Sequence, residues 1–289
     1  MPDLDDMYTF GPETLIARST TIVTGPVSGF SQRILLTEPR SDTPLRWEIS
    51  GEVARPVALK GMLPPPPIHF VRIEQAVFLM HDNPPWENDY LLWHPGDHVV
   101  IFFENRTRPE IRVFPSGTGD RDFAALVGRI ASVQSIPEPA RRFAGWRDEL
   151  LTGPMAEDKK AAVRALLAFN RPWNEIAPLF RQAIAAAADP FLRAFVFGAV
   201  AYAITRQRWP DPAGPAEFLS EVLTRETDTE AAVQYVGVLG PLLGFANEED
   251  HRQERSALRE RLRAALRRCE AGGGEAGAEC RDLLERTPD

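Results

Sequence analysis

Four of the five histidines fall between positions 69 and 98, the part of the chain best equipped for chemistry. His81, His94 and His98, with Asp97 beside the last, offer imidazoles and a carboxylate. Such a set binds zinc, and an open fourth position would activate water for hydrolysis. The compact part is His94-Pro-Gly-Asp-His98. Pro95-Gly96 is a turn signal, so its two imidazoles bracket a turn and share no helical face. A polar connection between strands accounts for the same residues without a metal. No His-Glu-x-x-His occurs in the chain, and no motif requires an organic cofactor.

Two other groups stand out. The stretch His81 to Trp93 sets Trp86, Tyr90 and Trp93 among prolines and acidic residues. Aromatic side chains on a stiff loop make anchors for a partner, or else they cover the end of a barrel. Cys269 and Cys280 flank Gly272-Gly-Gly274, so a chain folding back at the glycines brings them together. They form either a disulfide, contributing about 2–3 kcal/mol in so short a loop, or two thiols in the hairpin core. Other signals fail. Gly25-Pro-Val-Ser-Gly29 has the wrong spacing for a nucleophile elbow, and Ser116-Gly-Thr-Gly lacks the lysine of a phosphate loop.

The elements that would carry these residues change character along the chain. Up to about Ser116 it reads as strands broken by proline and glycine. Thr20–Val27, Gln32–Thr37, Leu45–Leu59, Ile68–Met80, Val99–Glu104 and Ile111–Phe114 are rich in β-branched and aromatic residues. Gly51 and Pro56 mark an expected bend or bulge. Pro64-Pro-Pro-Pro67 is a stiff connector. From Phe123 the apolar spacing turns helical. Ile176, Leu179, Phe180, Ala183 and Ala187 line one face, and Leu192, Phe195, Val196, Ala199 and Ala203 repeat it after Asp189-Pro190. Asp189 is placed to cap and Pro190 to open the second helix. Further helices are expected over 157–169, 216–225, 229–239 and 248–270. The fold class is therefore α+β: an N-terminal small β-barrel or sandwich followed by a C-terminal stack of helical hairpins. The boundary is expected at 135/136, with both halves packed together because 136–139 and 152–154 are too short to be free linkers.

The segment Asp189-Pro-Phe-Leu-Arg-Ala-Phe-Val-Phe-Gly-Ala-Val resembles the start of an inner helix in HEAT-type repeats. Ala162-Val-Arg-Ala-Leu-Leu and Ala232-Val-Gln-Tyr-Val-Gly echo it at unequal spacings. The resemblance implies a short right-handed solenoid whose concave face binds a partner. In the other half, Glu52-Val-Ala-Arg-Pro-Val-Ala-Leu-Lys-Gly61 and Gly96-Asp-His-Val-Val-Ile-Phe-Phe are similar to small bacterial OB-like barrels. These belong with the netrin-module and metalloproteinase-inhibitor-like domains. The N-terminal cysteine with which the inhibitors meet the protease metal has no counterpart here.

Charge narrows the partners. With 33 Lys+Arg against 41 Asp+Glu the formal charge is −8, which argues against nucleic acid. The longest apolar run, Ala194 to Ile204, is short of the roughly 20 residues of a membrane helix. The N-terminus has no apolar leader, which places the chain in the cytoplasm as it stands and outside it if a signal peptide has been removed. The leading expectation is a non-enzymatic interaction or scaffold protein with a protein partner or a second copy of itself. The alternative is a metal-binding protein or metal-dependent hydrolase using the histidine cluster.

Overall fold

The computed structural model describes residues 11–37, 44–75, 98–104, 110–113, 123–169, 171–206, 212–247 and 256–287. Contacts divide the chain into a unit Pro12–Ser135 and a second that runs from Ile136 to Asp289. The first holds a small antiparallel sheet, the second a stack of helices. Among the described residues, no helix is long and apolar enough to cross a membrane.

The sheet is organised by one long strand. β1 (Ser19–Thr37) runs through both segments that the sequence suggests as separate strands. Its first half pairs with β5 (His98–Glu104) on one side and β3 (Val57–Lys60) on the other. Its second half pairs with β2 (Pro44–Val53), with register shifts after Ser28 and Ile34. β2 pairs with β4 (Ile68–Gln75), and β5 with β6 (Glu110–Val113). The path is β4-β2-β1-β5-β6, and the end strands β4 and β6 also approach each other. The ends of the sheet thus come together, as a barrel requires.

Val23, Val27, Val53, Phe70, Val99 and Ile101 form the interior of this unit. Gly51 does not bend β2; it pairs in register with Phe70. A Cβ there would lie 2.9 Å from the Phe70 ring and 3.1 Å from Val27 Cγ1, so glycine makes room for the core. The break comes instead at Ala54–Pro56, where Arg55 has φ 47°. On the opposite face of β5, Val100 and Phe102 are buried as well. Two helices cover that face: α1 (Pro12–Arg18) and α2 (Phe123–Gln134) pack on each other and on β1, β3 and β5. This explains the unbroken apolar run of β5. α1 was hidden in a region otherwise written in strands, although Pro12 and Glu13 are a legible helix start.

The second unit contains α3 (Pro139–Thr152), α4 (Ala156–Ala168), α5 (Trp173–Ala186), α6 (Pro190–Thr205), α7 (Ala213–Arg225), α8 (Thr229–Asn247), α9 (Ser256–Gly272) and α10 (Gly274–Arg286). They form two layers in chain order. One contains α3, α5, α7 and α9, each packed on the next; the other contains α4, α6, α8 and α10. α6 is buried around nearly its whole circumference, from Leu192 to Ile204, as befits a central helix. The rings of Phe197 and Tyr235 stack between α6 and α8 with centroids 4.4 Å apart. α8 continues past Leu239 and through Pro241 to Asn247. A proline inside a helix removes a backbone bond, but the burial of Leu242, Leu243 and Ala246 offsets that loss.

Candidate functional site

The histidine cluster and the aromatic loop fall largely outside the described residues. His81, His94, Asp97, Trp86, Tyr90 and Trp93 all do. His98 is the first residue of β5, opposite Pro26, and His69 is exposed on β4 opposite Glu52. Among the described residues no group of three or more His, Cys, Asp or Glu is arranged to hold a metal ion.

The best-formed polar site lies where two helical turns meet. Asp189 caps α6 by accepting the Phe191 backbone N–H at 2.9 Å, with Pro190 in the first turn. Four residues beyond Asp189, Arg193 projects from that turn of helix toward the connection Glu226-Thr227-Asp228 between α7 and α8. Its Nε donates to Glu226 Oε2 at 3.1 Å, and its Nη2 reaches Asp228 Oδ2 at 3.0 Å. Its Nη1 donates to the carbonyls of Ala187 and Ala188, the turn that follows α5. A guanidinium has five N–H donors, and here all three nitrogens are engaged. Glu226 is equally committed. Oε2 also accepts from the Tyr235 hydroxyl at 2.8 Å, and Oε1 accepts from the backbone N–H groups of Thr227 and Asp228. Asp228 in turn accepts from Ala231 N–H at the start of α8.

Charge and burial reinforce one another at this junction. The Arg193 and Glu226 side chains retain 12% and 9% of their exposure. Burial works against ionisation of Glu226, but the Asp228 N–H, the Tyr235 hydroxyl and Arg193 together hold its carboxyl below the usual range. The Ala231 N–H, and then Arg193, hold Asp228 low too. Arg193 is pulled down by burial and raised further by Glu226, so it stays charged. Burial, and then the bond to Glu226, push the Tyr235 phenol up. The group is a charge-assisted lock between successive turns.

Beside the lock runs a groove of about 630 Å³ at the C-terminal ends of α5 and α7. Its charges are balanced: Arg181, Arg193 and Arg225 against Glu221, Glu226 and Asp228. Glu221 accepts from both Arg181 at 3.0 Å and Arg225 at 2.7 Å, and Arg181 lies over the Phe218 ring. Helix C-termini carry partial negative charge. The arginines there neutralise that charge and the carboxylates, so the arrangement is suited to holding helix ends in register.

Away from this groove, Cys269 and Cys280 are joined in a disulfide between α9 and α10. Glu226 and Asp228 stand outside the motifs that the sequence displays. The signal was available, since Glu226-Thr-Asp228 is a cap-rich turn directly before the run that begins at Thr229. What sequence alone does not supply is the partner: Arg193 lies 33 residues from Glu226. No family profile, curated protein or solved structure matches the chain.

Proposed function

We propose that this chain is a non-enzymatic interaction protein, a small barrel joined to a helical stack that presents a surface to a protein partner or to a second copy. The observation that carries the reading is the two-layer order of helices, α3-α5-α7-α9 against α4-α6-α8-α10. Each hairpin rests on its neighbours in the chain, as in repeat proteins, whose extended faces serve binding. The same order, with the Asp189-Pro190 start of α6, supports reading the stack as HEAT-like. In the first unit a five-strand path whose ends meet supports an OB-like barrel. The Arg193 lock fits this reading because its donors are spent on architecture. Of the two compartments open from the sequence, the covalent link between the cysteines favours the oxidising one.

The test is association of the full chain. Light scattering after gel filtration, together with crosslinking in source cells and mass spectrometry of the adducts, should give either a defined oligomer or a reproducible protein partner. A chain that is monomeric at every concentration and forms no specific adduct would overturn the proposal.

A further inference from the structure

The two cysteines are the only ones in the chain, and the structure brings them together at the end of the helical stack. Three separate features produce that meeting. The turn between α9 and α10 is a single non-helical residue, Gly273, and both Gly273 and Gly274 have positive φ, 73° and 70°. Side chains rarely adopt that conformation, so the glycines permit an immediate reversal. One turn into α10, a Cβ at Gly277 would sit 3.1 Å from the Glu270 carbonyl oxygen and 3.4 Å from that of Cys269. The absence of that side chain lets α10 approach the end of α9 closely. Cys280, three residues further along α10, is completely buried, and its Cα lies 6.2 Å from that of Cys269, within the span of a disulfide.

The joined hairpin is also the last one described in the stack. α9 packs on α7 and α8, and α10 on α8. The other side of α10 is exposed and charged, with Glu275, Glu279, Arg281, Asp282 and Glu285. A repeat stack needs a terminal element with a polar outer face, and this hairpin has one.

We propose that Cys269–Cys280 is a native oxidative modification, formed in an oxidising compartment, that covalently closes the C-terminal cap of the helical unit. Its formation removes one hydrogen from each thiol. The two electrons and two protons pass by thiol–disulfide exchange to a disulfide oxidant, which leaves as the dithiol. Chains that work in reducing compartments keep such thiols free, so the redox state of this pair reports where the protein lives. The inference is independent of any partner.

The experiment traps thiols where the protein is made. Source cells are treated with a membrane-permeant maleimide before lysis, and the intact chain is weighed after denaturation. The expected chain carries no maleimide and is lighter than the reduced chain by two hydrogen atoms; reduction then allows both cysteines to react. A chain carrying one or two maleimides without reduction overturns the proposal. A second measurement tests the closure itself. Protease cleavage in the 272–274 turn should be on the order of 100-fold faster in the Cys269→Ser/Cys280→Ser variant, given the entropy of so short a closed loop. Equal cleavage rates for the two proteins would show that the link closes nothing.

Discussion

Arg193 and Glu226 meet across the junction of two helical turns, Nε to Oε2 at 3.1 Å, with both side chains almost withdrawn from solvent. Neither group is bonded to the other alone. Arg193 also binds the turn after α5, and Glu226 also holds the backbone that starts α8 and the hydroxyl of Tyr235. Two connections in the stack, and the Tyr235 hydroxyl of α8, therefore depend on one ion pair.

Removing the cation should be costly. Arg193→Ala leaves Glu226 buried without its counter-charge and two carbonyls without donors, a loss of about 3 kcal/mol. Arg193→Lys should fall between, because an ammonium cannot span carboxylates and carbonyls with a planar fork. Urea denaturation followed by far-ultraviolet circular dichroism would measure both. A change within experimental error for the alanine variant contradicts the lock.

The same network sets two pH limits. Glu226 and Asp228 have folded pKa values below their unfolded ones, near 4. Their contribution is present above that range and disappears as the pH falls through the folded values. Tyr235 is shifted upward. Its contribution is complete below its unfolded value of about 10 and is lost as the pH rises from there toward the folded value. Tyr235→Phe should keep the stack with Phe197, lose about 1 kcal/mol near neutrality, and unfold less steeply in alkali than the parent. Thermal melts across the pH range read all three effects.

In the sheet unit, Gly51→Ala places a methyl group against the Phe70 ring and Val27. Overpacking of this kind costs typically 1–3 kcal/mol. The loss should appear in the melting of the sheet while the helical signal of the second unit persists. An unchanged sheet transition would mean that the interior has room to spare.

Phe102 bears on the other face of the same sheet, its ring edge-on to Phe123 of α2 with centroids 6.5 Å apart. Phe102→Ala should cost about 3–5 kcal/mol, since the ring is fully buried. Hydrogen exchange of the α2 amides should accelerate in the variant. Unchanged exchange would show that α2 is held by other contacts.

The larger outline of this fold is readable from residue patterns. The switch from β-branched alternation to a spacing of three and four marks the change from sheet to helices, and Asp189-Pro190 marks the start of α6. What fails are decisions that depend on distant partners. Thr20–Val27 and Gln32–Thr37 read as two strands with Gly29 between them; they join in β1 because β5 lies along one half and β2 along the other. Gly51 signals a bend, yet its reason is the ring of Phe70 on the neighbouring strand. α8 should stop before Pro241, and the burial of Leu242 and Leu243 carries it on. In the lock, Arg193 is visible from the motif it belongs to, but Glu226 and Tyr235 become its partners only when α7 and α8 are in place.

The shared strand β1 also imposes an order on biosynthesis. Its first half pairs with β5, so Ile22 has to wait for Phe102 to leave the ribosome. Until then, one edge of that half presents unmatched amide groups to the nascent chain's surroundings. The helical unit meets no such delay, because each hairpin finds its packing surface on the one made just before. Translation speed, or a chaperone acting at the ribosome, should therefore govern the yield of the first unit far more than that of the second.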